Sequence, residues 1–352
     1  TARVSPIAGA VIAGCADRHG VAAEVMAHMV EVRTPVSRSF GELRQALLAR
    51  RIAVSGEAAR RGALVVPSGV TPLGQSEPPC LTDDARYRAL AARFPAAIST
   101  AGTMGCHVHV AVPTRAAGVA VLRRCRRWLP ALIALSANSP IYDRHDTGWA
   151  CWRYRLMTRW PTSCPAPPVD SDRAYDDAVA AAIASGEAMD MRNVYYFIRL
   201  SPRYPTVEVR VADVLLTADE AAAYAALVRA LVMQTLHDAD LDRAVPNVDQ
   251  RRLVWACESA ARSGVAGTAV DVASGELVRG WDLVDRLLCY VLPSLATDPD
   301  AARVLSIVEL LRLRGTGADR QRRLWPQTQD IAAFARSLAR WTTARGQQLD
   351  EP

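Results

Sequence analysis

Gly105-Cys106-His107-Val108-His109-Val110-Ala111-Val112 places valine at every second position until Pro113 stops the pattern. Side chains two apart on a strand point the same way, so His107 and His109 share a face with Gly105 and Ala111, and the valines face a core. Thr206-Val207-Glu208-Val209-Arg210-Val211 repeats the arrangement, with Glu208 and Arg210 opposite three valines. Met29-Val30-Glu31-Val32-Arg33 does so again, setting Glu31 and Arg33 opposite Val30 and Val32. Strands with one wet and one apolar face form antiparallel sheets that pack helices on one side only. The expected fold is α+β, an antiparallel sheet with an open polar face and helices on the other.

Working outward, Ile7 to Ala27 reads as a short helix, and Ser39 opens an amphipathic helix that stops at Gly62. Ala63 to Val66 reads as a strand, followed by a Pro/Gly-rich loop through Pro79. Helices are expected near Asp84 to Phe94, from Thr114 to Ser136 and from Asp172 to Ser185, with a strand over Val194 to Leu200. Thr217-Ala218-Asp219-Glu220 is a capping box opening a helix to about His237, and the chain after Pro246 reads as helical. Residues 140–170, rich in Trp, Tyr, Arg and Pro, are too long for a linker and read as a functional loop. One domain is expected over 1–352, strand-rich through 216 and mainly helical from 217.

All 42 basic residues are arginine, for the sequence contains no lysine. That excludes a Schiff-base nucleophile, a pyridoxal anchor and a P-loop lysine, so a phosphate must be met by arginine, backbone amides or a metal. The net charge is +6, but arginines interleave with Asp and Glu along helices, the pattern of solvated faces rather than of a nucleic-acid surface. No uninterrupted apolar run is long enough for a membrane span, and no basic-then-apolar leader opens the sequence, so the cytoplasm is expected. The eight cysteines are scattered without a CxxC pair and read as packing residues.

Carboxylates on separate strands beside an imidazole suit a hard divalent cation better than a structural zinc. Arg203 and Arg210 flank Glu208, with Arg199 a strand away, and with such a cation they could neutralise a nucleotide triphosphate. The turn Gly315-Thr316-Gly317-Ala318-Asp319 leads into an arginine cluster. It adds Arg320 and Arg322 to His109 and Arg199 as nucleotide-binding candidates.

These segments, with Ser136-Ala137-Asn138-Ser139-Pro140, Arg159-Trp160-Pro161-Thr162 and Ser201 to Asp213, resemble the type 2 glutamate-cysteine ligase family over nearly the whole chain. That family is related to glutamine synthetase, whose H-x-H and I-E-V-R strands they also resemble. The resemblance implies a glutamine-synthetase-like catalytic fold and an enzyme using ATP and Mg²⁺ (or Mn²⁺). The reaction it implies joins glutamate, through a γ-glutamyl phosphate, to cysteine or a related or non-protein amino acid. It implies Glu31, His107 and Glu208 as metal ligands and places Arg210 and Arg203 near the transferred phosphate. It also implies a substrate loop following Asn138, with Arg144, Arg155 and Arg159 as candidates for the glutamate α-carboxylate. The family's acidic G-x-E-x-E strand has no counterpart ahead of Ile7 and is expected before residue 1. The partners implied are small molecules, with neither nucleic acid nor membrane and with a homo-oligomer possible. A non-catalytic ATP- and glutamate-binding homologue and an ammonia-using enzyme remain as alternatives.

Overall fold

The computed structural model describes residues 3–17, 19–75, 77–245, 247–328 and 330–344. The chain opens with α1 (Ala8–Gly14) and a hairpin of β1 (Val21–Ala23) and β2 (Val30–Val32). The Ser39 hydroxyl accepts the Glu42 N–H to start α2 (Phe40–Arg60), and Gly62, at φ +69°, supplies the left-handed residue after it. Asp84 caps α3 (Ala85–Arg93), and α4 (Pro95–Ile98) leads to β3 (Gly105–Ala111). Thr114 caps α5 (Arg115–Cys125), which passes through a 3-10 turn (Arg126–Trp128) into α6 (Leu129–Ser136).

A small hairpin follows, of β4 (Ile141–Tyr142) and β5 (His145–Asp146). Its two turn residues, Asp143 and Arg144, both have positive φ, as a type I′ turn requires. Next come α7 (Trp152–Met157), α8 (Asp172–Ala184), β6 (Ile198–Leu200) and β7 (Thr206–Asp213). The rest is α9 (Ala218–Asp240), α10 (Gln250–Ser263), a hairpin of β8 (Thr268–Val270) and β9 (Leu277–Arg279), α11 (Gly280–Leu295), α12 (Ala301–Arg314), α13 (Gly317–Thr328) and α14 (Ile331–Thr342).

The central sheet is antiparallel in the order β3-β7-β6. Val108, Val110, Val207, Val209 and Val211 join one hydrophobic core with Val119, Val121 and Leu122 of α5, Leu129 and Ala131 to Leu135 of α6, and Leu227 and Leu231 of α9. Burying that apolar area on one face leaves the alternate side chains of β3 and β7 on the other, as the alternation predicts. The α+β reading therefore holds.

Several elements differ from expectation. The first helix ends at Gly14, and β1 follows where a helix to Ala27 was expected. Residues 63–66 form no ladder. They run extended between two side clusters, and the Val65 carbonyl is taken by the Thr342 hydroxyl instead of a strand. The strand expected from Val194 shortens to β6, because the Val194 carbonyl accepts the Arg199 guanidinium. The β8-β9 hairpin interrupts the helical C-terminal portion, and Pro246 lies outside the described residues. No described helix is long and apolar enough to cross a membrane.

Candidate active site

β7 is the middle strand, and its pairing sets the site. His109 of β3 and Arg199 of β6 each lie directly opposite Glu208, so one row crosses all three strands. Paired residues on one face of a sheet sit within contact range, and here they are in contact. Arg199 Nε is 2.8 Å from Glu208 Oε2, and Arg210, two residues along β7, donates to Glu208 Oε1. His107 Nδ1 and His109 Nε2 stand 3.9 and 3.7 Å from the same oxygen. A register shift between Cys106 and Val108 bulges β3 at His107, whose Nδ1 comes 3.4 Å from Arg210 Nη1.

Burial alone would push the Glu208 carboxyl up, but Arg210 and Arg199 outweigh it and hold the group well below the usual carboxylate range. Burial first, and then the charge of Arg210, pull His107 well below the ordinary imidazole value. His109 is lowered too, mainly by burial. The face thus presents two guanidiniums, one carboxylate and two neutral imidazoles, a net positive charge open to an anion.

Glu31 stands on the separate β1-β2 hairpin, not in the β3-β7-β6 sheet, and pairs with Arg33 at 3.4 Å. Its carboxyl is raised, chiefly by burial in a recess although 43% of its side chain remains exposed. Arg33, Glu24, Arg210 and Glu208 also act on it, which sets the hairpin beside the open face. Among the described residues no three His, Cys, Asp or Glu side chains are gathered tightly enough to hold an ion. Glu208 and His107 are brought together, and Glu31 does not join them at one point.

Next to Arg210 a cleft is lined by Arg153, Tyr154, Met157, Ser163, Tyr195 and Phe197. Arg153 comes in from α7, is 4% exposed, and donates to the Val211 and Arg210 carbonyls. Gly105 makes room for it, since a Cβ there would lie 2.3 Å from Arg153 Nη2. Arg153 Nε, Ser163 Oγ and Arg210 Nε are buried with no hydrogen-bond partner. A buried donor without an acceptor is costly, which marks these three groups for attention.

The other expected residues lie elsewhere. Arg203 is exposed in the turn between β6 and β7. Arg320 is buried, ion-paired to Glu220 at 2.6 Å, and Arg322 binds Asp146 on β5. Asn138 is 1% exposed, and protein groups take its amide: Nδ2 donates to the Pro67 and Val214 carbonyls, and Oδ1 accepts from Gln321. Ala318 N–H donates to the Ala137 carbonyl, so the Gly315–Gly317 turn closes on the Asn138 segment as a clasp. Arg144, Arg155 and Arg159 are exposed, Arg155 lying 3.8 Å from Glu258. Of these only Arg155 shares α7 with Arg153, and at two residues' spacing it points to another side of the helix, while Arg144 and Arg159 lie outside α7.

The sequence model described as glutamate-cysteine ligase family 2 (GCS2) matches residues 4–337. A Salinispora arenicola protein named "Putative glutamate–cysteine ligase 2" is 38% identical over 345 residues, 97% of this chain and 91% of its own. A Salinispora tropica protein of the same name is 40% identical over 89% of this chain and 83% of its own. Among solved structures, a glutamate–cysteine ligase of Francisella tularensis in complex with AMP superposes with a TM-score of 0.65 at 13% identity, covering 93% of this chain and 82% of that one. At that identity it shows a shared fold.

Proposed function

The chain belongs to glutamate-cysteine ligase family 2, and on that premise we propose that the open face of β3-β7-β6 activates the γ-carboxyl of glutamate with ATP and joins it to the amine of an amino acid. The activity is that of an ATP-dependent carboxylate–amine ligase. The carrying observation is the His109–Glu208–Arg199 row with Arg210 beside it, two guanidiniums to one carboxylate on the polar side of the sheet. We further read this sheet as the counterpart of the glutamine-synthetase-like catalytic sheet, supported by the adjacent H-x-H and E-x-R strands.

A carboxylate does not form an amide unaided, so ATP phosphorylates it, releasing ADP, and the amine displaces phosphate from the acyl phosphate while losing a proton. Two anions must approach each other for the first step. Arg210, with one Nη on Glu208 and Nε unpartnered, is placed to meet charge on the transferring phosphoryl group. Arg199 fixes Glu208, and is itself fixed by the Arg192 and Val194 carbonyls. Arg153 and Ser163 in the adjoining cleft offer their free donors to a substrate carboxylate.

Glu208, ionised, and His107, neutral, present the lone pairs a hard cation takes, and Glu31 on the neighbouring hairpin would complete the set. Mg²⁺ or Mn²⁺ bound there supplies neutralisation of the triphosphate. The one second reading is a homologue that binds ATP and glutamate without turnover, since among the described residues Glu31, His107 and Glu208 are not gathered at one point.

The test is ADP release from ATP, Mg²⁺ and glutamate against a panel of amines, with the glutamate γ-carboxylate ¹⁸O-labelled. One label should pass to phosphate for each amide formed. Label in AMP would overturn the acyl-phosphate route, and binding without either product for any amine would establish the second reading.

A further inference from the structure

On the helical side of the sheet, away from the open face, α5 and α9 end together. Arg124 lies in the last turn of α5, Arg127 and Trp128 in the 3-10 turn after it, and Asp238 in the last turn of α9. With Arg243, Ala244 and Tyr290 of α11, three of these residues (Arg124, Arg127 and Asp238) enclose a cavity of about 140 Å³. Holding one water takes about 10–15 Å³ of such space, so the cavity has room for more than one solvent molecule.

The acid in this cavity is already committed. Asp238 Oδ1 accepts from Gln234 and, at 2.8 Å, from Arg243, and Oδ2 accepts the Tyr290 hydroxyl at 2.6 Å. Two guanidiniums remain. Arg124, 7% exposed, donates from Nη2 to the Arg243 carbonyl, yet its Nε is buried without a partner. Arg127 lies 4.5 and 5.0 Å from the ring centroids of Trp128 and Tyr290, which stack on each other, and its Nε is likewise buried and unpartnered. Stacking fixes a guanidinium's plane and leaves its N–H edge to a planar or tetrahedral oxyanion. Counting three arginines against Asp238, the cavity is positive by two charges.

We propose that this cavity is a second anion site, separate from the candidate active site, that binds a doubly charged oxyanion of the phosphate class through Arg124, Arg127 and Arg243. Free phosphate and a phosphate monoester share this chemistry. The test is calorimetric titration of the full chain with inorganic phosphate, and in parallel with glycerol phosphate, at constant ionic strength. A non-hydrolysable ATP analogue, Mg²⁺ and glutamate are present throughout to fill the other site. One saturable event is expected, weakened about tenfold or more in both Arg127→Gln and Arg243→Gln, the loss of a charge-assisted hydrogen bond. Arg115→Gln, at the far end of α5 and paired with Asp176 at the surface, should titrate like the wild type. Ligase activity without added phosphate should be unchanged in all three variants. Saturation by phosphate alone identifies the free ion, and saturation by both admits the monoester. Absence of a saturable event up to about 10 mM, a free energy too weak for a built site, would overturn the proposal. Equal affinity in wild type and variants would do so as well, leaving the arginines to serve only the helix ends.

Discussion

At Glu208 one carboxylate is held between two guanidiniums, and the consequences for the two are different. Arg199 is buried and spent on Glu208 and backbone carbonyls, whereas Arg210 keeps Nε free beside a cleft. Arg210→Ala should therefore leave the circular-dichroism spectrum intact while kcat/KM falls about 10²- to 10³-fold, the cost of removing one aligned donor from a developing charge. Wild-type turnover in that variant would remove Arg210 from the chemistry. The imidazoles give a pH signature. His107 and His109 titrate below the value of about 6.5 they take in the unfolded chain, so the unfolded state binds protons first as pH falls. Their contribution to stability is complete above about pH 6.5 and declines as pH drops through it. In chelator, the thermal midpoint of the His107→Gln variant should fall less steeply than that of the wild type on acidification below that value, and parallel curves would show the imidazole to be ordinary.

Among elements, the clasp from Gly315 to Gln321 illustrates what the sequence hid. As a string it is a glycine turn running into arginines, the look of a phosphate loop. Folded, Gly317 abuts Asn138 so closely that a Cβ would sit 2.1 Å from Asn138 Oδ1. Gly317→Ala should cost about 1–3 kcal/mol in urea unfolding, the range for a forced steric insertion, although alanine is the better helix former. An unchanged midpoint would mean that Asn138 moves aside freely. The strands carrying the site were legible because a two-residue period is local: His107, His109, Glu208 and Arg210 share a face in the sequence and in the structure. The membership of Glu31 in another sheet was not, since pairing is chosen by partners distant in sequence. Arg153 escaped for a related reason, its inward turn resting on a helix of six residues that shows under two turns of periodicity. The capping box was half right. Thr217 accepts the Glu220 N–H, but the Glu220 carboxylate leaves the helix end for Arg320.

That last pair is long-range in sequence, tying the start of α9 to α13 a hundred residues later. Both partners are buried, so removing one strands the other's charge. Glu220→Ala should cost about 3 kcal/mol, while Glu220→Leu with Arg320→Met should return to within about 1 kcal/mol of the wild type. KM for ATP should be unchanged in the double variant, and a large rise would restore Arg320 to the nucleotide. A second long-range junction gathers around Asp213, which is fully buried and accepts from the Asn138 N–H, the Ser139 hydroxyl and the Cys151 thiol. Gln321 then seals Asn138 from 183 positions away. Contacts between segments so far apart must meet their loop-closure entropy before they are rewarded, so these bonds are expected late on the folding pathway. Their weight falls on how slowly the native chain opens rather than on how fast it forms. Ser139→Ala should hasten unfolding in a denaturant jump and leave the refolding limb nearly unmoved, making the junction a timer for the life of the folded enzyme.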